Sequence, residues 1–241
     1  MKRFLVSLLS IMILVAGGGA VNAETIKDHD LNLQELKVEY EEWFKKVVSS
    51  KTAREDVIES YNQYNELSEE EKLIYIDYLY NPKLQEVLMD ALATEPEVTS
   101  GQTTQKIDDY KGIEVTTEVV TPPVTTDKIS IMANRTATYN RYVTFLKIKV
   151  FQTTSVVDYS HNGTRVTGVG AGDHYVSRNL NPTLNISWSG KRQTYSSTRA
   201  QSKVNMQWNF VHKAIGITYG GGELGVWGNH KNKAGGWFNA H

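Results

Sequence analysis

Val204-Asn205-Met206-Gln207-Trp208-Asn209-Phe210 alternates apolar and polar residues without a break. A period of two puts Val204, Met206, Trp208 and Phe210 on one face of an extended chain, the pattern of a half-buried strand. The alternation recurs on both sides of this stretch. Leu146, Ile148 and Val150 alternate with Lys147 and Lys149, and Leu184, Ile186 and Trp188 do the same; Ile215, Ile217 and Tyr219 make another strand. His161-Asn162-Gly163-Thr164 contains Asn-Gly, the strongest short hairpin signal. Ser189-Gly190 reads as a second turn, Gly168-Val169-Gly170-Ala171-Gly172 as a flexible turn, and Gly220-Gly221-Gly222 as a strand break. From residue 133 to 241 the chain therefore reads as an all-β domain, an antiparallel β-sandwich or small barrel of six to eight strands.

Before residue 94 the period changes. Leu33, Leu36, Tyr40, Trp43, Phe44 and Val47 recur at helical spacing. Thr52-x-x-Glu55 and Ser68-x-x-Glu71 match the capping box, in which hydroxyl and carboxylate satisfy backbone donors at a helix start. Asn81-Pro82 restarts a helix, with Asn as cap and Pro at the first helical position. Four short helices make a small bundle over residues 24–93, with their apolar stripes as core. The fold class expected is α+β with segregated modules. Residues 94–132, rich in Thr and containing Pro96, Pro122 and Pro123, read as the linker, with Ile113–Val120 as a stray edge strand.

Charge divides at the same place. The whole chain carries a net charge of -1, yet residues 24–98 sum to -11 and residues 133–241 to +10. The acidic side of the split is helical and the basic side is β, where Asp158, Asp173 and Glu223 are the only acids. A basic module favours anionic partners. Met1–Ala23 reads as a secretory signal peptide: Lys2 and Arg3, an apolar run too short for a good spanning helix, and Val21-Asn22-Ala23 as cleavage site. Location is therefore expected to be secreted, extracellular or cell-wall associated. Cysteine is absent, which excludes Cys nucleophiles, Cys-ligated zinc and iron–sulfur clusters and suits a bacterial exported protein.

The segment NELSEEEKLIYIDYLYNPKLQEVL (Asn65–Leu88), with the leader before it and the Thr-rich tract and Cys-free β-domain after it, resembles secreted proteins of Gram-positive bacteria. The resemblance lies in layout. It implies a bacterial, extracellular setting and no transferable active site.

Motifs for catalysis are sparse. No H-E-x-x-H or G-x-S-x-G occurs, and Gly168–Gly172 lacks the ending of a phosphate loop. No catalytic residue, metal or cofactor is expected. A pocket formed by Asp158, His161, Asp173 and His174 would revive a cell-wall hydrolase, the third-ranked function. Trp188 and Trp208 fall in phase with core residues, whereas Trp227 and Trp237 stand in a Gly/Asn/Lys-rich tail as exposed ligand contacts. Lys191, Arg192, Arg199 and Lys203, with Lys231 and Lys233, complete the expected ligand-binding set. The leading function is a non-catalytic binding protein for anionic cell-wall polymer or anionic lipid, with no nucleic acid expected. The alternative is an acidic pro-region that docks on a basic antimicrobial or membrane-active β fragment and masks it.

Overall fold

The computed structural model describes residues 32–93, 101–121, 133–212 and 216–240. The leader, His29 and His241 lie outside the described residues. Residues 31–241 form one compact unit. It is a mixed α+β fold with four helices and two antiparallel sheets among the described residues.

The helices are α1 (Leu33–Val48), α2 (Glu55–Glu66), α3 (Glu69–Tyr80) and α4 (Pro82–Ala93). Local signals place most of their ends. The Asn32 side chain accepts from the Glu35 N–H at 3.3 Å at the start of α1. The Ser68–Glu71 capping box is complete, with contacts of 3.2 and 2.9 Å, an arrangement worth about 1 kcal/mol. Asn81 Oδ1 accepts from the Leu84 N–H at 3.2 Å. The Thr52 box does not form. Arg54 occupies the cap position without a capping bond, and Thr52 meets Ser50 in the turn before it. Inside, Tyr40, Phe44, Tyr64 and Tyr75 interlock at centroid distances of 5.2–6.2 Å.

The first sheet has the order β1 (Gly101–Lys106), β2 (Ile113–Val120), β3 (Ala133–Phe145), β4 (Ile148–His161), β5 (Val166–Asn179). The second has the order β6 (Leu184–Tyr195), β7 (Ala200–His212), β8 (Gly216–Gly228), β9 (Ala234–Ala240). The tract expected as a linker thus supplies two strands, and β2 is no edge strand, because it pairs with both β1 and β3. Four more local assignments change. Leu146 is not in a strand but in a tight turn with Lys147, both at positive φ (49° and 72°). Ser189-Gly190 is a bulge within β6, where the register shifts before Arg192 and Gly190 takes φ 66°. Gly168–Gly172 and Gly220–Gly222 lie inside β5 and β8. The Asn-Gly hairpin holds: Asn162 Oδ1 accepts from the N–H groups of Thr164 and Arg165 at 3.1 and 3.0 Å.

Val119, Ala137, Tyr139, Val157 and Tyr159 of the first sheet share one apolar layer with Val204, Met206, Trp208, Leu224, Val226 and Phe238 of the second. Two glycines let the sheets approach. A Cβ on Gly228 would overlap the ring of Tyr159, and one on Gly236 the ring of Tyr139. A second core joins helices to strands: Tyr75, Tyr78, Leu79 and Leu84 pack with Ile113, Phe145, Ile148 and Leu180. Tyr75 and Tyr78 meet the Phe145 ring edge-on at 6.1 and 5.6 Å. The helices therefore cap one end of the strand layers. Arg178 clamps this junction, donating to Asp56 at 2.7 Å and to Ser60 Oγ at 2.7 Å. The β4–β5, β6–β7 and β8–β9 turns gather at the other end, where the Val166 N–H donates to Ser197 O at 2.8 Å.

Candidate functional site

Strand alternation sorts the second sheet into two faces. On β7, Ser202 and Val204 point inward and Lys203 outward; on β8, Val226 points inward and Trp227 outward. Register then sets out the outer face in rows. Trp237, Gly225, Lys203 and Arg192 lie side by side across β9, β8, β7 and β6. The row toward the turns holds Gly235, Trp227, Gln201 and Thr194, and the row behind holds Asn239, Glu223 and Asn205.

Gly225 lacks a side chain where the Trp237 indole lies across it. Trp237 Nε1–H donates to Glu223 Oε1 at 3.2 Å, and the other Glu223 oxygen takes Lys203 Nζ. Arg199 completes the face. Its guanidinium lies 4.4 Å from the Trp227 ring centroid and 5.4 Å from that of Trp237. Such a stack fixes the orientation of the guanidinium.

Of the eight residues expected to bind ligand, Arg192, Arg199, Lys203, Trp227 and Trp237 share this face. Lys231 and Lys233 stand exposed in the adjoining β8–β9 turn, where their N–H groups bond Asn229 Oδ1. Lys191 does not join the face; it sits at the β6 bulge with Nζ 3.6 Å from Asp173 of the first sheet. Trp227 is buried rather than exposed, because the Arg199 stack covers it. Gln201, which sequence reasoning passed over, and Glu223, which it named only as one of three acids, are the polar frame of the face, and the cross-strand register brings them there.

The pocket imagined from Asp158, His161, Asp173 and His174 does not form. Strand alternation turns the two carboxylates to the outer face of the first sheet and the two imidazoles to its inner face. Asp158 accepts from the Thr136 hydroxyl at 2.6 Å, and Asp173 from the His174 N–H at 3.0 Å. No cluster of three or more His, Asp or Glu fit to hold a metal occurs among the described residues.

His174 is a link between sheets. Its Nδ1 lies 2.8 Å from Ser155 Oγ on β4 and its Nε2 2.9 Å from Ser202 Oγ on β7. Gly172 permits the close approach, since a Cβ there would strike Ser202. Burial, aided by the charge of Lys191 and opposed by Asp173, drives the His174 pKa down to about 4. The imidazole is therefore neutral at physiological pH, without a carboxylate to orient it, and serves as a polar staple.

At the turn end, the inner face carries polar groups. Arg135 is the cross-strand partner of Tyr159, and His161 follows two residues on. Burial raises the Tyr159 pKa against the pull of Arg135, and burial with the Arg135 and His230 charges lowers that of His161. The Asn232 side chain lies against His161 and opposes that shift, while Tyr159 Oη makes no hydrogen bond. Leaving such a hydroxyl unpaired costs about 1–3 kcal/mol.

No protein-family model matches the chain, and no curated protein or solved structure gives a significant match.

Proposed function

We propose that the chain is a secreted, non-catalytic binding protein whose second sheet grips an anionic cell-wall polymer with its outer face. The observation that carries this reading is Arg199, held between Trp227 and Trp237 at 4.4 and 5.4 Å. A flat aromatic surface suits sugar or polyol units, and a fixed guanidinium suits phosphate or carboxylate. Arg192, Lys231 and Lys233 extend the positive field around it. The leader supports export. The shared apolar layer, and the absence of strand pairing between the sheets among the described residues, support a sandwich rather than a barrel.

The masking alternative draws less support. Among the described residues, hydrogen bonds join the helices to Ser177, Arg178, Asn181 and Arg141, away from the outer face of the second sheet. The core joining helices to strands is apolar, so their docking does not need the acidic charge of the helices.

The test is sedimentation of the full chain with purified cell walls and with anionic vesicles over a range of salt. Binding to walls that weakens steeply between low and high salt, and about tenfold on Arg199→Ala, supports the reading. Salt-independent binding removes its electrostatic basis, and binding to vesicles alone replaces the polymer with a lipid surface.

A further inference from the structure

We propose that the outer face of the first sheet carries a second binding site, a hollow that takes an uncharged sugar chain. It lies on the other sheet from the Arg199 face and does not depend on the anionic-polymer reading.

Asn134 and Thr136 of β3 and Asp158 and Ser160 of β4 line a hollow of about 810 Å³, with Val120 of β2 and Gly170 of β5 also in its wall. Clefts that bind small ligands span about 300–1,000 Å³. The local sequence explains the hollow. β4 and β5 shift register around Asp158, which leaves Gly170 and Ala171 beside it. A Cβ on Gly170 would press on that of Asp158 at 3.3 Å, while one on Gly168 would meet open space. The glycines expected as a flexible turn thus keep β5 bare where larger side chains would fill the site.

The polar groups of the hollow are fixed in cross-strand pairs. The Thr136 hydroxyl donates to Asp158 Oδ1 at 2.6 Å, and the Ser160 hydroxyl to Asn134 Oδ1 at 2.8 Å. A second carboxylate oxygen on Asp158, the NH2 of Asn134 and lone pairs on both hydroxyls remain for a ligand. Acceptors and donors side by side match sugar hydroxyls, which give and take hydrogen bonds at once. Val120, 46% exposed, offers an apolar side to the C–H face of a ring. Tyr175 stands on the same outer face, opposite Thr154 and 43% exposed. It lies four residues beyond Ala171, about 13 Å along the strand, so an extended chain of sugar units reaches both. Charge agrees. Glu118, Asp158 and Asp173 stand on this face and repel the anions that the second sheet attracts. Arg135 beside the hollow and Lys191 beside Asp173 offset two of these charges, so a cation gains little.

The experiment is a titration of the full chain with cellohexaose, maltohexaose and chitohexaose at low and at high salt. It is followed by the amide resonances of Asp158, Ser160 and Gly170 and by the Asn134 side-chain NH2. A saturable shift with one of the sugars, equal at both salt levels and weakened about tenfold in Asp158→Asn and in Thr136→Val, is the expected result. Both substitutions conserve size, and the amide resonances of the second sheet report whether each variant folds. No saturable shift with any of the three, a shift that salt abolishes, or one that both variants leave unaltered overturns the site. Shifts of the same amides with protein concentration alone assign the face to a second copy of the chain and also overturn it. If no sugar binds while wall binding still falls on Arg199→Ala, the hollow is lost and the outer-face reading of the second sheet stands. If a sugar binds and Asp158→Asn weakens it while wall binding ignores Arg199→Ala, the hollow stands and that reading is lost.

Discussion

At the helix-capped end, Phe145, Ile148 and Leu180 lie beneath Tyr75, Tyr78 and Leu79, and the polar groups there have partners such as Arg178 with Asp56 and Asn181 with Leu79 O. At the turn end, Tyr159 and His161 are as deeply buried, but there the Tyr159 hydroxyl has no partner, His161 meets the Gly163 N–H and the Asn232 side chain, and Arg165, Arg199, Lys231 and Lys233 stand in the turns around them. One end is completed by the chain's own helices. The other is closed by turns that carry the exposed cations Arg165, Lys231 and Lys233. The sign of the helices matters less than their apolar stripes: the -11 segment is attached by a hydrophobic core and a single Arg178–Asp56 clamp among the described ion pairs.

The contrast breaks most readily at the helix junction. Phe145→Ala should cost about 3–5 kcal/mol, since it empties the site where Tyr75 and Tyr78 dock. Denaturant unfolding followed by helix and by Trp signals should move together. Separate transitions would mean that helices and sheets are independent bodies.

His174 sharpens the comparison in the middle of the layers. Its folded pKa of about 4 lies below its unfolded value, so between about pH 6.5 and 4 the unfolded chain binds the proton first. Its contribution is thus present in full above about pH 6.5 and lost as pH falls to about 4, some 3 kcal/mol in all. Urea midpoints measured across this range should fall with acid, and His174→Gln should flatten the fall. A profile that His174→Gln does not alter would show that the staple does not couple to protonation.

Smaller effects follow at the surface. Burial works against the Asp56 carboxylate, but the hydrogen bond and charge of Arg178, with Arg54, hold its pKa below the usual range. Asp56→Asn should cost about 1–2 kcal/mol by calorimetry, because Arg178 is largely buried and keeps its charge. Lys231→Ala with Lys233→Ala should change stability by no more than about 0.5 kcal/mol while reducing binding to cell walls. A large loss of stability from that pair would make the turn structural rather than a binding element.

What was legible in the sequence was local. The Ser68–Glu71 box, Asn81-Pro82, the Asn162-Gly163 turn and the Val204–Phe210 strand each depend on neighbours within a few residues. The failures depend on distant chain. Gly172 reads as a turn residue, but it sits in a strand because Ser202 of the other sheet needs its space. Thr103 and Thr104 belong to an edge strand exposed on both faces, so no apolar alternation marks it. The basic and aromatic residues of the outer face were visible as composition. Their alignment with Gln201 and Glu223 is set by register, and the burial of His161 by a second sheet that no local pattern reports.

The most direct measurement is the binding of the full chain to phosphate-bearing cell-wall polymer at low and high salt, for the wild type beside Arg199→Ala and Trp237→Ala. Tight wild-type binding that falls with salt, and about tenfold with each substitution while the melting temperature holds within a few degrees, is the predicted result. Equal binding by all three proteins at every salt concentration would contradict the assignment of the outer face as the binding surface.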